Sequence, residues 1–232
     1  MAETMRIKVS ENGPYVVTGN VPLTGQTIGT DAQGESVEWI EGQSLETRPR
    51  YLLCRCGNSA NKPFCDGTHA KAGFDGTETA SHAPYLDQAR SLEGPTVVLT
   101  DAVHLCASAR FCDPNGTVWR QVNHTDNPEV RAQFEHQVGL CPSGRLVAWD
   151  KETGQPVEPQ HAPSIGLVQD PVQGVSGPIW VRGGIEVVSA DGQPYPVRNR
   201  QTLCRCGASA NKPFCDGSHI RVRFRDDKSS PV

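Results

Sequence analysis

The sequence predicts a mainly β protein with an α+β insert, and three observations support this fold class. First, 23 Gly and 18 Pro among 232 residues amount to about 18%, against roughly 12% in average proteins, which predicts many turns. Second, short apolar runs such as Val97–Leu99 and Ile179–Val181 lie between these turn residues, as is typical of strands. Third, one segment occurs twice, which indicates a repeated structural unit.

Composition and charge exclude several classes of protein. No apolar run approaches the roughly 20 residues of a membrane-spanning helix, and the start MAETMRIKVS lacks the apolar middle of a signal peptide. We therefore expect a soluble, cytoplasmic protein with no membrane partner. The 22 basic and 26 acidic residues give a net charge of −4, which disfavours nucleic acid as a partner.

The repeated segment contains most of the cysteines. Residues 53–74, LCRCGNSANKPFCDGTHAKAGF, match residues 203–224, LCRCGASANKPFCDGSHIRVRF, at a constant offset of 150. Their first seventeen positions differ only by Asn58 to Ala208 and Thr68 to Ser218. Chance does not produce such a match, so the chain contains two copies of one cysteine-bearing loop.

A β-rich lead precedes each loop. GPYVVTGNV (residues 13–21) resembles GPIWVRGGI (177–185) at an offset of 164, so the first copy has 14 extra residues before its cysteines. Between the copies, strand patterns at Thr96–Thr100 and Arg145–Trp149 flank a helix from Pro128 or Glu129 to Val138, which Gly139 ends. We predict a first unit over 1–94, a middle α+β domain over 95–160 and a second unit over 161–232.

The nine cysteines fall into three groups of three, a number that does not suit disulfides within a unit. In a reducing compartment, clustered Cys and His favour metal or cluster binding. Both repeats read C-x-C-x8-C-x3-H, which supplies three thiolates and one imidazole. The members are Cys54, Cys56, Cys65 and His69 in the first copy and Cys204, Cys206, Cys215 and His219 in the second. The other five histidines, at 82, 104, 124, 136 and 161, are expected at the surface or packed.

Two kinds of metal site use such a ligand set: a single tetrahedral Zn²⁺ and a [2Fe–2S] cluster. Zinc sites usually separate the paired cysteines by two to four residues. The single residue between Cys54 and Cys56 gives a narrower bite, which favours one iron held at one edge of the loop. Cys65 and His69 would then hold the second iron. A structural zinc protein or interaction module remains the alternative.

The residues between the ligands are typical of a tight loop around sulfur. Gly57 and Gly67 permit positive φ or close backbone approach, and Asp66 is suited to cap the short turn that carries His69. Backbone N–H groups in such a loop donate to sulfur, and with the charges of Arg55 and Lys62 they would raise the reduction potential of a cluster.

These residues resemble a known family. CRCGNSANKPFCDGTH and CRCGASANKPFCDGSH meet every position of the pattern C-x-C-x2-S/T-x3-P-x-C-D-G-S/A/T-H of the mitoNEET-like CDGSH iron–sulfur domain. The resemblance implies one [2Fe–2S] cluster per copy, with the two nearby cysteines on the inner iron and the Cys–His pair on the outer one. It also implies a β-cap over each cluster loop. Because family members often form two-fold dimers with interleaved strands, we expect a monomeric, intramolecular pseudo-dimer.

The middle cysteines, Cys106, Cys112 and Cys141, resemble a different family. CASARFC and the later LCPSGRL retain three cysteines of a bacterial-type ferredoxin pattern, while Ala109 stands at the fourth ligand position. The order of strands and helix is similar to that of the divergent mono-cluster ferredoxin domain. Three thiolates suit [3Fe–4S] better than [4Fe–4S]; the alternative is a degenerate domain whose cysteines are empty or merely packed.

The predicted function is electron transfer, cluster transfer or redox sensing, with an unidentified redox protein or apo-acceptor protein as partner. An enzyme is not expected. Cys112 or Cys141 with His104 or His136 have no nucleophile–base motif around them, and the sequence contains no phosphate loop, dinucleotide fingerprint or HExxH.

Overall fold

The computed structural model describes residues 4–226. The elements of the first unit are β1 (Arg6–Val9), β2 (Tyr15–Thr18), β3 (Leu23–Thr30), β4 (Ser36–Leu45), β5 (Tyr51–Leu53), α1 (Thr68–Lys71) and α2 (Tyr85–Gln88). Those of the middle region are β6 (Arg90–Glu93), β7 (Val97–Asp101), α3 (Val118–Gln121), α4 (Pro128–Gly139), β8 (Leu146–Asp150) and β9 (Pro156–Val157). Those of the second unit are β10 (Ser164–Asp170), β11 (Val175–Arg182), β12 (Glu186–Val188), β13 (Arg200–Leu203) and α5 (Ser218–Arg221). The described chain is therefore mainly β with an α+β insert.

Two sheets are built from the repeated units, and each sheet contains a strand of the other unit. The first has the order β12-β1-β2-β5 and the second the order β13-β11-β10-β3-β4. In the first sheet, β2 pairs antiparallel with both β1 and β5. In the second sheet, β11 pairs in the same way with β10 and β13. β12 of the second unit then joins β1 in parallel, and β3 of the first unit joins β10 in parallel. The two units thus exchange equivalent strands.

The exchange gives the two units one hydrophobic core. The buried side chains of this core alternate along the strands, as they do in sheets with one face turned inward. Members from the first unit are Ile7, Val9, Tyr15 and Val17, and members from the second are Ile165, Leu167, Ile179 and Leu203. Neither unit therefore buries its apolar face without the other.

The extra residues of the first unit form most of the β3–β4 hairpin. β4 is the edge strand of the second sheet. Its Trp39 packs against Trp180 at a ring-centre distance of 4.6 Å and against Phe111 at 4.9 Å. The indole N–H of Trp39 also donates to the carbonyl of Leu140, at 3.0 Å. The insertion therefore joins the first unit to the second unit and to the middle domain.

The middle domain is a four-stranded sheet, β6-β7-β8-β9, covered by α4. The predicted strands and helix are confirmed within one or two residues. α4 begins with Pro128 in its first turn, and the Asn127 side chain accepts from the N–H groups of Glu129 and Val130. The sheet begins upstream of the boundary predicted at residue 95, because Arg90–Glu93 pair antiparallel with β7. Within residues 4–226, no helix has the length and apolar character needed to cross a membrane.

Candidate metal centres

The first loop brings its four predicted ligands together in two pairs. β5 ends at Leu53 and is followed directly by Cys54 and Cys56, whose sulfurs lie 3.8 Å apart. The loop then returns to pair with the same strand, since Cys65 N donates to Leu52 O, and α1 places His69 Nδ1 3.4 Å from Cys65 Sγ.

The second loop repeats this arrangement. Cys204 and Cys206 follow β13 with their sulfurs 3.7 Å apart, and His219 Nδ1 on α5 lies 3.4 Å from Cys215 Sγ. The hydrogen bond between the two neighbouring thiols lowers the pKa of Cys204 to about 7 and raises the pKa of Cys206.

The pair distances are those of two donors on one metal ion. With metal–sulfur bonds of about 2.3 Å, metal–nitrogen bonds of about 2.0–2.1 Å and tetrahedral angles, two sulfurs lie about 3.8 Å apart and a sulfur and a nitrogen about 3.6 Å apart. Within residues 4–226, no three Cys, His, Asp or Glu side chains lie close enough together to hold a single ion. The donors of each loop are arranged two and two.

Backbone groups around the sulfurs have the predicted form. Asn58 N lies 3.4 Å from Cys56 Sγ, Gly67 N lies 3.5 Å from Cys65 Sγ, and Gly217 N lies 3.4 Å from Cys215 Sγ. The loop glycines have positive φ: 76° at Gly57, 87° at Gly67, 81° at Gly207 and 84° at Gly217. These N–H groups point at sulfur and would favour a negatively charged group there.

A carboxylate closes each loop. Asp66 accepts from the N–H groups of Ala60 and Thr68, and these bonds hold its pKa well below the usual range. Asp216 makes the equivalent bonds to Ala210 and Ser218. The side chain thus stabilises the turn before the histidine, as predicted, although Gly67 and Gly217 are the residues that precede α1 and α5.

The two loops meet along their C-x-C segments. Cys56 and Cys206 form an antiparallel bridge. A Cβ on Gly57 would lie 2.6 Å from Cys206 O, and one on Gly207 would lie 2.6 Å from Cys56 O. Only glycine permits this contact, which places the two candidate centres side by side.

The outer ligand pairs differ in burial. Cys65 and His69 are partly exposed, whereas Cys215 is 2% exposed and His219 3%. Burial raises the pKa of the Cys65 thiol, and it raises the pKa of the Cys215 thiol well above its usual value. Burial also lowers the pKa of His219 to about 4, with Arg205 adding to the effect.

The arginine between the paired cysteines is buried in both copies, with different partners. The guanidinium of Arg55 donates to the carbonyls of Ser10, Gly13 and Gly76. The guanidinium of Arg205 donates to Gly177 O and Val168 O, and also lies 2.6 Å from the carboxylate of Asp226.

The three middle cysteines line one small cavity, together with Arg145 and Leu146. Burial raises the pKa of the Cys112 thiol, and the negative charge of the neighbouring Asp113 adds to the effect. Ala109, at the expected fourth ligand position, packs with Phe111 and Trp180. The three thiols and Ala109 therefore line the same cavity.

Sequence reasoning missed the residues that connect the sites. Tyr15 of the first unit places its hydroxyl 2.7 Å from Cys204 O and 3.0 Å from Pro213 O. Ser108 of the middle domain lies against Gly217. Arg198 donates to Ser143 O. Each contact spans more than fifty residues of sequence, so no local pattern indicates it.

Comparison with known families gives matches over all three regions. Residues 12–70 and 176–220 match the family described as iron-binding zinc finger CDGSH type. Residues 92–151 match the family described as divergent 4Fe-4S mono-cluster. Comparisons with curated proteins and with solved structures give no match.

Proposed function

Because the chain is a tandem CDGSH-type iron-binding protein with a central divergent 4Fe–4S mono-cluster domain, we propose that it carries two [2Fe–2S] clusters and a third, [3Fe–4S] cluster. Its role would be electron transfer, cluster transfer or redox sensing. Such clusters, when bound, accept and donate single electrons. Cys54, Cys56, Cys65 and His69 would hold the first cluster, and Cys204, Cys206, Cys215 and His219 the second.

The observation that carries this proposal is the two-and-two arrangement of donors in both loops. In each loop the paired cysteine sulfurs lie 3.8 or 3.7 Å apart, and the third cysteine sulfur lies 3.4 Å from a histidine nitrogen. Each pair has the spacing of two donors on one metal ion, so each loop has donors for two metal ions. The N–H groups directed at three of the ligand sulfurs add fixed positive dipoles beside them. For the middle domain, the support is that Cys106, Cys112 and Cys141 line one cavity.

The strand exchange supports an intramolecular pseudo-dimer that functions as a monomer. Tethering two self-complementary units replaces a bimolecular encounter by an effective concentration on the order of millimolar. We propose a cytoplasmic, non-enzymatic protein whose partner is a redox protein or an apo-acceptor of clusters rather than a nucleic acid.

Metal analysis of anaerobically purified protein tests the proposal. Two [2Fe–2S] clusters give about four iron and four acid-labile sulfide per chain, and a [3Fe–4S] cluster raises the iron to about seven. We expect visible absorbance that bleaches with dithionite. A colourless protein with two zinc per chain and no sulfide would refute the proposal and support the structural zinc alternative.

A further inference from the structure

Four arginines lie around the middle cysteines, and three of them have a carboxylate partner. Arg145 lies 2.6 and 3.0 Å from the two carboxylate oxygens of Asp101. Arg110 pairs with Asp170 in the same two-bond manner, at 2.7 and 2.9 Å. Arg200 pairs with Glu158 at 2.7 Å and also donates to the carbonyls of Val138, Gly139 and Cys141. Each of these three arginines thus has a carboxylate partner, although Asp101 is shared with Arg90.

The fourth arginine, Arg198, belongs to the second unit and has no carboxylate within 4 Å in the part of the chain that the structure describes. Its Nη1 donates to Ser143 O at 2.8 Å, two residues after Cys141. Its guanidinium lies 5.1 Å from the ring centre of Phe214, the residue before Cys215. Burial lowers the pKa of Arg198 to about 10, although the residue is still partly exposed.

A charge removed from water is costly unless an opposite charge lies near it. The groups with negative character near Arg198 are the Cys141 thiol, the Tyr85 hydroxyl and, more weakly, the carboxylate of Glu158, which already pairs with Arg200, a further positive charge nearby. The thiol and the hydroxyl are neutral when protonated. Three thiolates on a cluster carry more negative charge than the iron and sulfide core neutralises, so a filled middle site supplies the missing charge. The backbone supports this placement: a Cβ on Gly144 would lie 2.6 Å from Arg200 O, so the cysteine loop lies directly on the segment that contains Arg198.

We propose that Arg198 is a positioning residue that supplies the positive counter-charge for a cluster held by Cys106, Cys112 and Cys141. The inference rests on the proposed third cluster. It makes the middle site dependent on the second unit, because the compensating charge comes from outside the middle domain. A cation at this position stabilises the reduced, more negative cluster more than the oxidised one, and therefore raises its reduction potential.

Three variants of the full-length holoprotein test this role. Arg198→Met removes the charge and keeps a long side chain, and Arg198→Lys keeps the charge. As a control, Arg120→Met removes an exposed arginine of the middle domain. We expect Arg198→Met to retain about tenfold less middle-site iron against a competing chelator and to lower the potential of the remaining cluster. The electron paramagnetic resonance signals of the two [2Fe–2S] clusters should stay unchanged. Arg198→Lys and Arg120→Met should behave as the parent protein.

Two results would overturn the role of Arg198 while leaving the third cluster in place. One is an Arg198→Met protein with the parent's iron content and middle-site potential. The other is an Arg198→Lys protein as defective as Arg198→Met, which would show that shape rather than charge matters. A parent protein with only about four iron per chain would instead refute the third cluster itself and with it the proposal.

Discussion

The first and second cysteine loops have nearly the same sequence and the same donor geometry, but their surroundings differ. In the first, Cys65 and His69 are partly exposed; in the second, Cys215 and His219 are almost fully buried. The difference arises outside the loops. A Cβ on Gly67 would meet no atom within 4 Å, whereas one on Gly217 would lie 2.5 Å from Ser108 Oγ of the middle domain.

The first unit covers the second loop from another side. Thr79 and Ala80 both donate their N–H groups to Lys212 O, and the Thr79 hydroxyl donates to Ala210 O. A nearly identical motif therefore places the same candidate donor atoms in both loops, but it does not determine how water or a partner reaches them. Access is set by the elements packed on the loop. Under the proposed function, the first site is therefore the one suited to exchange and the second the one suited to retention.

The largest expected difference between the sites concerns the buried arginines. Asp226→Asn leaves the guanidinium of Arg205 buried without its counter-ion, and breaking such a pair costs about 3–5 kcal/mol. Asp75→Asn is the matched control, because Asp75 is an exposed carboxylate in the field of Arg55, where solvent screening leaves little effect on stability. We expect the urea concentration that abolishes cluster absorbance to fall much further for Asp226→Asn. Equal midpoints would show that the stability of the buried Arg205 does not depend on Asp226.

The glycines before the two histidines provide the next comparison. Gly67→Ala and Gly217→Ala force alanine into the same left-handed conformation, which costs about 1–2 kcal/mol at either position. Gly217→Ala adds overpacking against Ser108, worth about 1–3 kcal/mol. Urea unfolding of the holoprotein should therefore rank Gly217→Ala as the less stable variant.

A second substitution identifies the cause of that ranking. Adding Ser108→Ala to Gly217→Ala removes the hydroxyl that the new methyl group meets. We expect the double variant to recover most of the difference from Gly67→Ala. No recovery would mean that the middle domain does not press on the second loop.

The rate of iron release compares the sites directly. Cys215→Ala leaves only the first [2Fe–2S] site complete, and Cys65→Ala leaves only the second. With excess chelator, we expect the exposed first site to lose its absorbance roughly tenfold faster, equivalent to about 1.4 kcal/mol in activation free energy. Indistinguishable rates would show that the exposure of the outer ligands does not determine how fast a site loses its iron.

Much of this architecture could be predicted because its signals are local. The repeat located both sets of candidate ligands, and Pro128 with Gly139 located α4. The hairpin strand β4 and the strand β6 gave weaker signals: Arg90–Glu93 contains one apolar residue, Leu92, and is recognisable only through its pairing with β7.

The relations between the sites could not be predicted, for a physical reason. The covering of Gly217 by Ser108 and the bond from Arg198 to Ser143 join segments that are far apart along the chain, and ordinary serine or arginine residues make them. Such residue types suit any polar surface, so only the fold gives them a partner. The alanine at position 109 was recognisable as a missing ligand because the pattern around it was already known.

Tyr15 provides the comparison with the smallest expected effect, and it concerns a single hydrogen-bonding group. At the corresponding position the second unit has Ile179. Among residues 4–226, only the second loop therefore receives a tyrosine hydroxyl from the other unit. Tyr15→Phe removes this bond without changing the shape of the core, and a net loss of about 0.5–1.5 kcal/mol is expected. Because the lost bond anchors Cys204 O, iron release from the second site should accelerate severalfold in the Cys65→Ala background.

Tyr51→Phe is the matched control for Tyr15→Phe. Tyr51 is also buried and also donates to a carbonyl, that of Val21, which does not belong to either cysteine loop. The two variants should lose similar stability to urea, yet only Tyr15→Phe should change iron release from the second site. If both variants released iron at the same rate, the hydroxyl of Tyr15 would contribute to the core alone, and retention at the second site would rest on the middle domain.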